Sequence, residues 1–334
     1  MVPVTSSSHR QTRAAFWAFR EAGVLGVLVV MGAALAIATR GPYGSTFLTA
    51  SNLLDVARQF SFVAIMAVGE LTVILTAGID LSVAATLALS GVVMAKVLTL
   101  PVLAGASVAA RVAGAMLVAL CVAVAVGLTN GSLVVRVKLP PFIATLGMLS
   151  ICRGLAYAVS RGHPISGFPD IFSESIGHGT IGGVPVPVLA MAVVTGAGWF
   201  ILSRTRWGRY FYAVGGNEQA ARFAGVPVDR AKLLAYVICS LTAGIAAILM
   251  TAWLGTAQST AMMGGELDVI AATVIGGASL MGGHGTALGA LLGAAIMGVL
   301  RNGLVLLNCP AYYRDVSIGL VIVFAVALDR FRKK

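Results

Sequence analysis

Ten apolar stretches follow one another along the chain, at residues 22–39, 52–77, 81–99, 107–128, 141–159, 186–203, 230–253, 266–281, 285–307 and 315–329. Most are close to the ~20 residues a helix needs to cross a ~30 Å hydrocarbon core. In hydrocarbon every backbone N–H and C=O must be satisfied within the protein, so a run of this length has to be helical. The pattern predicts an all-α polytopic membrane protein with about ten transmembrane helices. Composition agrees: 58% of the 334 residues are hydrophobic and 10% are charged, against about 25% charged in a soluble domain.

An even number of spans places both termini on one side. Taking that side as cytoplasmic assigns fifteen of the 23 basic residues to it, five to the outside and three (Arg58, Arg153, Arg301) to spans. The bias is the one expected of cytoplasmic loops. The resulting organisation is a cytoplasmic tail over 1–21, a single transmembrane domain over 22–329 and a cytoplasmic tail over 330–334. The first apolar run follows Arg10, Arg13 and Arg20 and could be read as a signal peptide. A first transmembrane helix is the preferred reading, because many spans follow it. The net charge of +11 does not indicate nucleic acid. The basic residues are interspersed between apolar runs, where they set topology and meet lipid headgroups. Cys121, Cys152, Cys239 and Cys309 are far apart, with no C-x-x-C and no histidine cluster, which argues against a metal or disulfide role.

Two joints are very short, "AGID" after the second run and "GGHG" after the eighth. Short or glycine-broken segments at corresponding places in two halves point to a transport pathway. Discontinuous helices are expected near Gly78–Ser82 and Gly276–Gly285. The letters of Gly69–Ile74 (GELTVI) recur at Gly265–Ile270 (GELDVI), as a repeat or by coincidence.

Acids inside apolar runs are costly, so Asp80, Glu70 and Asp268 stand out. Gly78 loosens the chain before Asp80. Asp80 and Ser82 can then cap a helix starting at Leu81 by accepting its free N–H groups. The functional alternative, compatible with the first, is that the broken helix lines a polar pathway. Glu70 and Asp268 either face that pathway, or make interhelical hydrogen bonds or lie near the membrane interface. The glycines of "GTALGALLG", Gly285–Gly293, lie four apart and read as a packing face.

The long basic loop 204–229 contains a short helix, Glu218–Ala224. Asn217 is its N-cap, Gly225 its C′ residue, and Arg222 lies four residues after Glu218. Asp229 can cap the span that follows. By physics alone this helix is either a solvated connector or a docking element. The chain has no GxxxxGK[ST], GxSxG or HExxH motif, so if it moves a solute uphill, either the ATP chemistry lies elsewhere or an ion gradient drives it.

At these residues the sequence resembles the ribose-type permeases of bacterial ABC sugar importers, in the branched-chain and monosaccharide permease superfamily. The resemblance rests on LTAGIDLSVAATLALSG (75–91), LPPFIATLGML (139–149), GRYFYAVGGNEQAARFAGV (208–226), ELDVIAATVIGGASLMGGHG (266–285) and GVLRNGLVLL (298–307), in that order. Where the family's signature often continues with Gly after GIDLSV, this chain has Ala84. The resemblance implies a permease subunit for a monosaccharide or small polyol in the bacterial inner membrane. Its implied partners are a second permease copy or paralogue, a periplasmic sugar-binding protein and a cytoplasmic ABC ATPase that uses ATP and Mg. No cofactor is expected on the chain itself. The loop containing Gly215, Gly216, Asn217, Glu218, Ala221, Arg222 and Gly225 is implied to be the coupling helix. Glu70, Gly78, Asp80, Ser82 and Asp268, from the reading of the apolar runs above, are the candidate residues of the broken helix and translocation pathway. The competing reading is a secondary transporter that couples to a cation through Glu70, Asp80 or Asp268.

Overall fold

The computed structural model describes residues 6–41, 44–100, 105 and 107–331. The chain is helical almost throughout. α1 (Ser6–Ala38) runs through the expected N-terminal tail and first span as one helix. It is followed by α2 (Ala50–Leu75), α3 (Val83–Leu98), α4 (Val108–Val135) and α5 (Pro141–Ser160). The segment after α5 folds into α6 (Asp170–Phe172) and a π-helical turn (Ser173–Gly177). Then come α7 (Val186–Arg204), α8 (Arg206–Gly216), α9 (Glu218–Phe223) and α10 (Val228–Leu254). The chain ends with α11 (Gly265–Ile275), α12 (Ala287–Leu306) and α13 (Ala311–Phe331). Two antiparallel two-residue hairpins close loops, β1 (Arg40–Gly41) with β2 (Gly44–Ser45) and β3 (Thr180–Ile181) with β4 (Val184–Pro185).

Each of the ten apolar runs coincides with a helix. Among the described residues seven of these are long and apolar enough to cross a membrane: α1, α2, α4, α5, α7, α10 and α12. α3 has 16 residues. α11 has 11, about 16 Å at 1.5 Å per residue, so it penetrates only part of a bilayer. The expected run 266–281 is cut short because the backbone leaves the helix at Gly276–Gly277, with Gly277 at φ 97°. α4 reaches seven residues beyond its expected end at 128, which places Asn130 inside a helix.

α2 and α10 form the buried axis. Every residue of α2 from Ala64 to Leu75 is buried, and α10 crosses it while packing on α3 and α4. A helix apolar on all sides belongs inside a larger bundle. The approach is close: a Cβ on Gly69 of α2 would lie 2.0 Å from the Thr242 hydroxyl of α10. The glycine stripe of α12 plays the same role against α11, since a Cβ on Gly293 would lie 1.9 Å from the Ala272 carbonyl oxygen. Without a hydrophobic effect between helices in lipid, such close packing is a main source of association.

The two interrupted helices end alike. After α2, Ala77 takes φ 59° and Gly78 N–H donates to Val73 O at 3.0 Å; after α11, Gly277 takes φ 97° and Ala278 N–H donates to Thr273 O at 3.1 Å. This likeness is out of register with the shared GEL letters. Glu70 lies deep in α2, whereas Glu266 lies in the first turn of α11.

Candidate functional site: a buried polar knot, an ion-paired chamber and a short helix pair

The break after α2 builds a polar knot. Leaving the helix at Ala77 turns the chain back, and Asp80 N–H donates to Glu70 Oε1 at 3.0 Å. Glu70 Oε2 accepts from Cys239 Sγ of α10 at 3.3 Å. Asp80 Oδ1 accepts from Ser82 N–H at 2.8 Å and from the Ser82 hydroxyl at 2.6 Å. Asn130 of α4 donates to Asp80 Oδ1 at 3.3 Å and to Ser82 Oγ at 2.8 Å. Thr145 of α5 donates to Ile79 O at 3.2 Å. Glu70, Asp80, Ser82 and Asn130 are all fully buried. The knot therefore ties the loop before α3 to α2, α4, α5 and α10.

Three sequence expectations change here. α3 starts at Val83 rather than Leu81, and Ser82, although at the N-cap position, makes no side-chain cap bond. Its hydroxyl donates to Asp80 instead. The residue that departs from helical geometry is Ala77 rather than Gly78. Gly78 instead provides room, because a Cβ there would lie 2.8 Å from the Tyr236 hydroxyl of α10.

Asp268 does not join this group. It pairs with Arg301 of α12 at 2.7 Å. Both line a separate cavity of about 480 Å³ between α2, α10, α11, α12 and α13, whose walls include Gln59, Phe60, Phe62, Met250 and Met262. That size falls in the range of small-molecule sites. The loop closing one side, residues 256–264, is held by Arg153 of α5, which donates from Nη1 to Ser259 O at 2.7 Å and Ala261 O at 2.9 Å. Each of the three arginines assigned to spans thus has an acceptor, Arg58 through Asp55 at 3.0 Å.

In the basic loop the expected helix is present as α9. Asn217 Oδ1 accepts from Ala220 N–H at 2.9 Å. The helix closes with Val226 N–H to Ala221 O and Gly225 N–H to Arg222 O, Gly225 having φ 78°. This is the Schellman pattern. Glu218 pairs with Lys232 at 2.6 Å and Arg222 at 3.5 Å, and Arg222 with Asp229 at 3.0 Å. Asp229 is therefore part of an ion network rather than a cap for α10, whose N-cap is Pro227. Hydrogen bonding to Asp229 and its charge move the Arg222 guanidinium further up, so it stays charged. Because these charges satisfy one another, the outward-facing group of α9 is Phe223, which is 91% exposed.

Gly215 and Gly216 are not loop residues; they form the last turn of α8. A Cβ on Gly215 would lie 1.8 Å from Leu75 O and 2.5 Å from Gly283 N, so the end of α8 seats directly on both helix breaks. Gly283 N–H donates to Leu75 O at 3.0 Å, joining the breaks to each other. Tyr212 of α8 donates to Gly285 O at 2.7 Å. Burial, with the Glu21 carboxylate nearby, pushes its phenol up to about 12, so it remains a donor at neutral pH.

Sequence reasoning missed Asn130, Tyr212, Phe223, Cys239 and Arg301. Arg301 carried a signal, as a charged group inside an apolar stretch, whereas Asn130 lay two residues past the expected end of its run. Tyr212 and Cys239 had none, because their partners are far away in the chain.

The family described as "Branched-chain amino acid transport system / permease component" matches residues 52–326. The ribose import permease protein RbsC of Escherichia coli (strain K12) is 42% identical over 317 residues, 94% of each chain. The D-allose transport system permease protein AlsC of the same strain is 40% identical over 290 residues, 86% of each chain. The fructose import permease protein FrcC of Rhizobium meliloti is 37% identical over 309 residues, 87% of this chain and 81% of the relative. No solved structure gives a significant match. With a match this long, and a polytopic helical domain interrupted after α2 and α11, the chain belongs to the branched-chain amino acid transport system permease component family.

Proposed function

We propose that the chain is the membrane-spanning permease subunit of an ATP-driven importer of a monosaccharide or related small polyol. The observation that carries this is its near full-length similarity to import permeases for ribose, allose and fructose. The chamber between α2 and α11–α13 suits such cargo. Phe60 and Phe62 offer flat apolar surface for the C–H faces of a sugar, while Gln59, Asp268 and Arg301 offer donors and acceptors for hydroxyls. Because Asp268 and Arg301 neutralise each other, the chamber favours an uncharged solute.

In this reading the termini and the 204–229 loop are cytoplasmic, in a bacterial inner membrane. A second permease copy or paralogue completes the transmembrane unit. A periplasmic sugar-binding protein delivers the cargo, and a cytoplasmic ABC ATPase binding ATP and Mg docks on α9. Glu70, Gly78, Asp80 and Ser82 act as the fixed hub of the broken helix, and Asp268 faces the moving solute.

The test is reconstitution in vesicles with the ATPase and binding protein, supplying ribose, allose and fructose in turn. ATP-dependent uptake of one of them is the expected result. Uptake by the chain alone, driven by a proton or sodium gradient, would establish the cation-coupled alternative instead.

A further inference from the structure

The two helix breaks and the end of α8 meet at one point. The Gly215 backbone lies against Leu75 O and Gly283 N with no space for a side chain, and a Cβ on Gly282 would lie 2.9 Å from Gly215 Cα and 3.0 Å from Ala77 Cβ. Five residues there, Ala77, Gly277, Gly282, Gly283 and Gly285, hold positive φ. Backbone of this kind is where a chain pivots rather than bends smoothly. A side-chain hydrogen bond from α8 to this junction runs from Tyr212 to Gly285 O at 2.7 Å. The next residue, Thr286, caps α12 by accepting from Gly289 N–H at 2.9 Å and donates to Glu21 of α1 at 2.6 Å. α8 is also joined to α9 through a single non-helical residue, Asn217. A displacement of α9 has no slack in which to dissipate before it reaches α8.

We infer that α8 is a lever that carries movement of the coupling helix to both helix breaks at once, with Gly215 as its bearing and Tyr212 as the positioning residue that attaches it to the α11–α12 break. The inference rests on the importer reading above. In its terms, motion of a docked ATPase shifts the cytoplasmic ends of α2 and α12 together. The α2 break is itself anchored, by Asp80 to Glu70, Ser82 and Asn130, by Thr145 to Ile79 O and by Cys239 to Glu70, so the lever works against a fixed hub on that side.

Tyr212→Phe tests this, since it removes the hydrogen bond and keeps the ring. The complete complex is reconstituted with wild-type or Y212F permease, and ATP hydrolysis and uptake of ribose, allose and fructose are measured in the same vesicles. Losing one hydrogen bond from a two-state coupling should raise the ATP hydrolysed per sugar imported about fivefold, at unchanged ATPase stoichiometry. A merely structural Tyr212 would lower both activities in proportion and leave that ratio unchanged, which would overturn the inference. Gly215→Ala should give the same rise or fail to assemble. Assembly with a wild-type ratio would show that Gly215 is not a bearing and also count against the lever. Should wild-type complex show no ATP-dependent uptake of any of the three sugars, the importer reading fails and the inference falls with it. ATP-driven wild-type uptake with an unchanged Y212F ratio sinks the lever alone.

Discussion

Asp80 answers to four elements at once, and its substitutions separate its possible duties. It receives a backbone N–H and a hydroxyl from Ser82 and an amide from Asn130, all inside a fully buried site. Asp80→Leu orphans these donors, at about 1–3 kcal/mol for each buried group left without a partner. The expected outcome is a large loss of folded protein, read by size-exclusion chromatography and thermal unfolding in detergent. Asp80→Asn keeps one carbonyl acceptor and should keep most of the folded yield. Asp268 behaves differently because its partner Arg301 has half its side chain exposed, so solvent screening limits what the pair adds to stability. Asp268→Asn should therefore leave the unfolding temperature within a few degrees of wild type while reducing uptake through the chamber. Equal damage to stability and uptake would assign Asp268 to structure.

α9 is a six-residue helix, too short to persist in isolation. Caps at both ends and the Glu218–Lys232, Glu218–Arg222 and Arg222–Asp229 pairs hold it to the start of α10. These exposed pairs contribute little individually, and together they set its orientation. With these charges paired to one another, Phe223 is the large apolar group α9 leaves open to a partner. Phe223→Ala should weaken ATPase binding by roughly 2 kcal/mol, about thirtyfold, as for a buried aromatic anchor, with the permease still folded. Glu218→Gln should have a smaller effect. A pull-down titration against the ATPase ranks the two, and the reverse order would place the contact on the charged face. The α11–α12 pair makes a second element-scale expectation. Gly293→Leu has to displace the Ala272 backbone, with the Cβ position 1.9 Å from its carbonyl oxygen. Overpacking of this kind costs typically 1–3 kcal/mol and often more, so the variant should fail to accumulate in the membrane.

At the scale of the whole molecule, topology is the testable quantity. The charge bias predicts that the π-helical turn after α5 lies outside and the α8–α9 pair in the cytoplasm. Ser175 and Gln219 are both exposed, so cysteines placed there report the two faces. Ser175→Cys should react with a membrane-impermeant maleimide in intact cells, and Gln219→Cys only after permeabilisation. The opposite pattern would invert the assembly and remove α9 from the ATPase side.

The sequence alone determined the helical class, ten helix positions, the two interruptions and α9 with its caps. These are local properties: apolar run length is set by hydrocarbon thickness, and capping is set by residues three to five apart. The tertiary structure decided which polar groups meet. Glu70, Asp80, Ser82, Asn130 and Cys239 come from α2, the break, α4 and α10, and nothing in their spacing distinguishes a knot from a pathway lining. Asp268 looked like a member of that group and lies instead beside Arg301, because α12 rather than α2 supplies its partner. Gly215 read as part of the coupling loop and Tyr212 carried no reading at all, until the fold set them against Leu75 and Gly285. A buried charge or polar group must find its counterpart somewhere, and the sequence states that requirement. Which distant residue meets it depends on how the helices pack.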